Sequence, residues 1–285
     1  MKNLGEIGCF LGLEVEKSDL GYFVSQKGYA KSLLERFGMG ESKEMATLME
    51  PNLKLTKDEG KLLKDAKKFR QLVGCLIYLT ITRPEISFSV SVVSVVSQFM
   101  QNPRTSHLDA AKRILCYVKG SLSHGLWYKR CEKFLLVGFT DADWAANASD
   151  RHSTSGYCFN TGSAVISWSS KKQDVVALSS TESEYVAATM AAQECIWLKS
   201  IWLKRLDLRT SSNPIFHART KHIEVRHHFI REKVLNEEIE LIGVRTSEQV
   251  ADIFTKALVK PKFQLFRDAL GVVDSKLALR GSIKN

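Results

Sequence analysis

The sequence predicts a mixed α/β fold in two regions, and three observations predict it. Apolar residues recur at helical spacing from Ala66 to Gly120. Three short runs rich in aromatic and β-branched residues follow, KFLLVGFTDA, TSGYCFN and AVISWSS, joined by turn-forming segments. A long helical pattern then runs from about Thr181 to Leu206.

Taken in order, CFLGLEVEKS and GYFVSQKG flank Asp19-Leu20 and read as a hairpin, and YAKSLLERFGM reads as a helix stopped by Gly38. Residues 39–66 are polar and lysine-bearing around Pro51, which marks a connection. Helical patterning resumes, is interrupted at Arg83-Pro84, and ends on Gly120 as a helix C-terminus should. Within it, Phe88, Val92, Val96 and Phe99 give ISFSVSVVSVVSQFM one apolar face. SLSHG reads as a hinge before an antiparallel meander of the three strand-like runs. Ser179-Ser180-Thr181-Glu182 is a capping-box signature for the long helix, whose apolar face carries Tyr185, Ala188, Ala192, Cys195 and Trp202. PIFHARTKHIEVRHHFIREKV reads as a basic helix, IELIGVRT as a strand, SEQVADIFTKAL as a helix, and FQLFRDALGVV as a helical tail.

Lys and Arg outnumber Asp and Glu by 41 to 31, a formal charge of +10 that favours polyanionic partners, nucleic acid first. The six cysteines are scattered without any Cys-x-x-Cys, which points to reduced thiols in an intracellular protein of cytoplasm or nucleus. The most apolar run, residues 86–100, is interrupted by serines and falls short of the roughly 20 residues a membrane span needs.

The candidate chemistry lies in carboxylates. Asp141 and Asp143 end a strand-like run, and residues two apart on a strand share a face. Glu184 sits in the first turn of the long helix and Asp252 between Ala251 and Ile253. Singly, each is explained by a solvated turn or helix face. Together they offer oxygen ligands from three elements, as a hard cation such as Mg²⁺ requires. Two such ions can clamp a phosphodiester during attack by water. Arg219, Lys221, His222 and Arg226 lie in a basic segment suited to tracking phosphates, or to forming a solvated cationic face.

The motifs FTDADWA, DRHSTSGYCF and ISWSSKKQDVVALSSTESEYVA resemble the ribonuclease H domain of copia-type retrotransposon Pol polyproteins. NPIFHARTKHIEVRHHFIREKV and TSEQVADIFTKAL continue that resemblance. LGEIGCFLGLEVEKS, FRQLVGCLIYLTITRPEISFSV and FMQNPRTSHLDAAKRILCYVKGSL resemble the end of the same polyprotein's reverse transcriptase. The resemblance implies a ribonuclease H-like mixed sheet flanked by helices at residues 131–262. A helix-rich reverse-transcriptase remnant would precede it at 1–130 and a helical tail follow at 263–285. It implies cleavage of the RNA strand of an RNA–DNA hybrid with two Mg²⁺ ions, and assigns Asp141, Glu184 and Asp252 as catalytic metal ligands. Glu182 then caps its helix and Asp143 is a neighbour.

The chain departs from the family twice. A strand carrying a CDN-like motif with the third of four catalytic carboxylates belongs between LKRLDLRTSS and NPIFHARTKH, and the chain is truncated there, near residues 206–213. Asp207 is the one acid in the gap, with no apolar strand to present it. The polymerase's paired-Asp motif is also missing, since no Asp-Asp dipeptide occurs. The expectation is a weak or inactive hybrid ribonuclease without DNA synthesis. The alternatives are a basic nucleic-acid-binding remnant, or a chain completed in trans by other Pol products.

Overall fold

A computed structural model of the chain describes residues 8–51, 53, 55–56, 59–95, 102–130, 135–145, 150–205 and 222–279. Two antiparallel sheets and eight α-helices make up the regular structure among them. The first sheet begins with β1 (Cys9–Phe10), β2 (Leu13–Ser18) and β3 (Gly21–Ser25), the expected hairpin turning through Asp19 and Leu20. Four helices follow, α1 (Lys27–Arg36), α2 (Ala66–Leu79), α3 (Ser87–Val95) and α4 (Thr105–Lys119), the last ending on Gly120. Asp65 caps α2 by accepting a hydrogen bond from the Lys68 N–H at 3.0 Å.

The SLSHG hinge leads directly into a strand that the sequence pattern did not reveal, β4 (His124–Lys129), paired with β3. The second sheet is the expected meander, β5 (Val137–Asp143), β6 (Thr154–Asn160) and β7 (Val165–Lys172), with β5 at its edge. α5 (Ser180–Arg205) packs across β5 and β6. It opens with the serine half of its signature, Ser179 Oγ accepting from the Glu182 N–H at 3.1 Å, while Glu182 Oε2 accepts one residue before the cap, from the Leu178 N–H at 2.8 Å. Of the expected face Ala192 is buried, together with Val186, Ala187, Ala191 and Leu198, while Tyr185, Ala188 and Cys195 are half-buried. α6 (His222–Leu235) covers the C-terminal part of the expected basic helix.

Two expectations need correction. IELIGVRT forms no strand: residues 240–245 lie outside regular structure and are exposed. Among the described residues no strand stands beside them, and a strand without partners leaves its backbone groups unpaired. SEQVADIFTKAL is not an α-helix either. It makes only a short 3-10 turn, Val250–Phe254, because this segment is pressed flat onto the second sheet. Both sheets are antiparallel, so the described residues contain no mixed sheet.

The tail returns to the first sheet. α7 (Lys260–Ala269) leads into β8 (Val272–Asp274), which pairs with β4, and α8 (Ser275–Leu279) ends the described chain. Gly271 makes the corner with φ 78°, and a Cβ there would stand 2.5 Å from the Ala164 Cβ, so a side chain has no room. The same corner stitches the sheets together. Tyr128 Oη donates to the Val165 carbonyl at 2.9 Å, and the Val165 N–H donates to the Leu270 carbonyl at 3.1 Å. One apolar cluster accordingly runs from Leu33, Leu76 and Ile114 through Val165 to Phe254 and Phe266.

Candidate acidic site

A glycine makes the site possible. Asp141 lies opposite Gly156 in the β5–β6 register. A Cβ on Gly156 would meet the Phe254 Cβ at 2.7 Å and the Thr255 Cγ2 at 2.8 Å. With only hydrogen at that position, residues 250–255 lie directly on the sheet beside Asp141. The backbone N–H groups of Thr255 and Lys256 then close onto the Asp252 carbonyl at 3.2 and 3.1 Å, turning both side chains toward the acids.

The result is a compact charge cluster. Lys256 Nζ stands 2.9 Å from Asp252 Oδ1 and 3.4 Å from Asp141 Oδ2. Lys262, in the first turn of α7, places its ammonium 2.5 Å from Asp252 Oδ2. Thr255 Oγ1 donates to Asp141 Oδ2. Asp252 is 1% exposed and Asp141 8%, so both carboxylates are buried and each is paired. Gln249 completes the arrangement by donating from Nε2 to the Thr140 carbonyl of edge strand β5 at 3.0 Å.

Glu184 and Asp143 join through the field. Burial, together with the nearby Asp141, pushes Glu184 from its ordinary 4.5 up to about 7, while the Ala142 backbone N–H pulls it partly back. Burial also raises Asp143, opposed by Lys256 and reinforced by Asp141 and Asp252. Burial works against the charge on Lys256, but its hydrogen bond to Asp252 and the charge of Asp141 win and hold its pKa above the usual value.

Glu184 therefore makes stability depend on pH. Its folded pKa lies above the unfolded one, so its contribution is complete below about 4.5 and is lost as pH rises through about 7. Replacing it with Gln, a mimic of the protonated acid, should leave the urea unfolding midpoint unchanged near about pH 4 and raise it at about pH 8. The carboxylate faces water on one side, which screens the gain. Parallel pH profiles for the two chains would refute this assignment.

The structure thus brings together Asp141, Glu184 and Asp252, the acids that the resemblance assigns, with Asp143, their expected neighbour, in the same field. Arg219 and Lys221 lie outside the described residues, as do Asp207 and the side chains of His222 and Arg226. Sequence reasoning missed Gln249, Thr255, Lys256 and Lys262. The signal for Lys256 was its position four residues after Asp252, a spacing that pairs charges on one helical face. The oxygen donors have the right chemistry for Mg²⁺. Yet among the described residues no three His, Cys, Asp or Glu side chains are placed to hold one ion, and a lysine ammonium lies between Asp141 and Asp252. In this conformation the site does not fit the metal.

The fold and the cluster define a mixed α/β protein with a carboxylate site seated on β5, an edge strand among the described residues. Homologues of the chain are retrovirus-related Pol polyproteins from transposons. The Pol polyprotein from transposon RE1 of Arabidopsis thaliana is 38% identical over 288 residues, covering 95% of this chain and 19% of that protein. The one from transposon TNT 1-94 of Nicotiana tabacum is 37% identical over 298 residues, covering 95% of this chain and 22% of that protein. An uncharacterised mitochondrial protein of Arabidopsis thaliana is 41% identical over 197 residues, 69% of this chain and 80% of that protein. The chain thus spans about one fifth of the length of the Pol polyproteins it matches. No family model matches it, and no solved structure is significantly similar. Among the described residues no helix is long and apolar enough to cross a membrane.

Proposed function

We propose that this chain is a retrotransposon-derived segment comprising a reverse-transcriptase remnant, a ribonuclease H-like domain with a damaged hybrid-cleaving site, and a C-terminal tail. The observation that carries the reading is the convergence of Asp141 and Asp252 on one lysine, with Glu184 in their field, in a relative of transposon Pol polyproteins. Copia-type motifs supply the finer assignment to ribonuclease H, and with it the expectation that Asp141, Glu184 and Asp252 are the ligands left for two Mg²⁺ ions.

The damage follows from a missing acid. Three carboxylates would have to hold two mutually repelling cations, and a reacting group displaced by even about 1 Å loses on the order of 100-fold in rate. Two findings support a truncation. Among the described residues β5 is an edge strand, and its Thr140 carbonyl is met by a side chain, that of Gln249. The alignments with the polyproteins, at 288 and 298 residues, also run longer than the 285-residue chain while covering 95% of it, so these relatives hold residues it lacks. The activity expected for this segment is weak or no hybrid cleavage, and no DNA synthesis.

The second reading is a nucleic-acid-binding remnant, favoured by the net charge of +10. A labelled RNA–DNA hybrid separates the two. Binding that weakens steeply with salt, equal in wild type and Asp141→Asn, with cleavage by neither, supports a binder. Slow Mg²⁺-dependent cleavage lost in Asp141→Asn supports a residual nuclease. Binding independent of salt would sink the phosphate-tracking role.

A further inference from the structure

The feature that sets this cluster apart is where its positive charge comes from. Lys256 Nζ contacts Asp252 Oδ1 at 2.9 Å and Asp141 Oδ2 at 3.4 Å, so a single ammonium bridges carboxylates from two elements. The other oxygen of Asp252 is taken by Lys262 at 2.5 Å, and Asp141 Oδ2 also accepts from Thr255. Buried carboxylates that face one another need a cation between them, because their repulsion goes unscreened away from water. Here the chain supplies that cation itself.

We propose that Lys256 is the resident cation of the acidic cluster, seated where a divalent ion would bridge Asp141 and Asp252, so that lysine and metal exclude one another. The proposal rests on reading the cluster as the family's ion site, and it concerns occupancy of that site rather than catalysis. The geometry permits exchange. The Lys256 side chain is 37% exposed while that of Asp252 is 1% exposed, so the lysine reaches in from the rim and has a path back to water. A divalent ion entering between the carboxylates must displace an ammonium already paired with both, and that competition weakens its binding. Lys262 pairs with Asp252 Oδ2, the oxygen that Lys256 does not contact.

The test is Mn²⁺ binding to the full chain, followed by electron paramagnetic resonance, for wild type and Lys256→Gln. Lys256→Gln should bind at least about tenfold more tightly, a difference of about 1.4 kcal/mol, and adding Asp141→Asn should abolish the gain. Lys256→Gln should also melt at a lower temperature than wild type without Mn²⁺ and regain the difference with it. Should that variant not fold, the wild type still decides the matter. Acetylation of Lys256 by acetic anhydride, read by mass spectrometry, should be slow without Mn²⁺ and faster at saturating Mn²⁺. Equal Mn²⁺ affinity in wild type and Lys256→Gln, or Lys256 acetylation indifferent to Mn²⁺, overturns the proposal. Failure here is distinguishable from failure of the functional reading. A wild type that cleaves hybrid rapidly contradicts that reading, yet leaves the lysine–metal exclusion standing if the tenfold gain is seen.

Discussion

Arg83→Met should destabilise the chain by about 3–5 kcal/mol, the range for leaving a buried charge without its partner. Arg83 is 2% exposed, and its Nε donates to Glu85 Oε1 at 2.7 Å. Its other nitrogens donate to the Ser121 carbonyl at 2.9 Å and to Ser121 Oγ at 2.6 Å. One guanidinium thereby ties the α2–α3 connection to the corner between α4 and β4. Glu85 is itself 1% exposed, and Tyr117 Oη, 3.3 Å from Oε1, is its other contact. Removing the arginine strands that carboxylate. Arg83→Lys should recover little, since an ammonium lacks the planar fork that serves Glu85 and Ser121 together. Arg83→Met combined with Glu85→Met should recover much of the loss, because no charge is then left buried. Urea unfolding midpoints check all three. A loss below about 1 kcal/mol for Arg83→Met, the value of a surface pair, would show that this network is not a stabilising tie.

Asp252→Asn should be the second large effect, about 2–3 kcal/mol by the same measurement. This sits below the range for a fully buried pair because the Lys256 and Lys262 side chains are 37% and 28% exposed and can turn toward water. The asparagine keeps the shape but directs an N–H₂ group or a neutral oxygen at two ammoniums. Since Asp252 also helps to raise Glu184, the substitution should bring the Glu184 pKa down, which carboxyl NMR titration can follow. An Asp252→Asn variant as stable as wild type would mean that the lysines contribute no net stability to the cluster.

The parts of this molecule written in local pattern were legible in its sequence. The hairpin, the three strands of the second sheet and α5 with its cap all follow from alternation, helical spacing and a four-residue signature. β4 and β8 were not legible because they draw their stability from partners far along the chain, and β8 is only 3 residues long. His124 pairs with Asp274, and Leu126 with both Val24 and Val272. IELIGVRT shows the reverse failure: it has the composition of a strand but no neighbour among the described residues. At the site, the acids were visible as residue types. Their neutralisation was not, because it depends on the 3-10 turn that Gly156 admits onto the sheet, and no periodicity encodes that contact.

In the proposed reading, Asp141, Glu184 and Asp252 converge on a site too damaged to cleave hybrid efficiently. Single-turnover cleavage of an end-labelled RNA–DNA hybrid by the purified chain in Mg²⁺, with Asp141→Asn alongside, tests it most directly. Wild-type product should stay at or barely above the Asp141→Asn background. Rapid cleavage of the RNA strand that Asp141→Asn abolishes would contradict it.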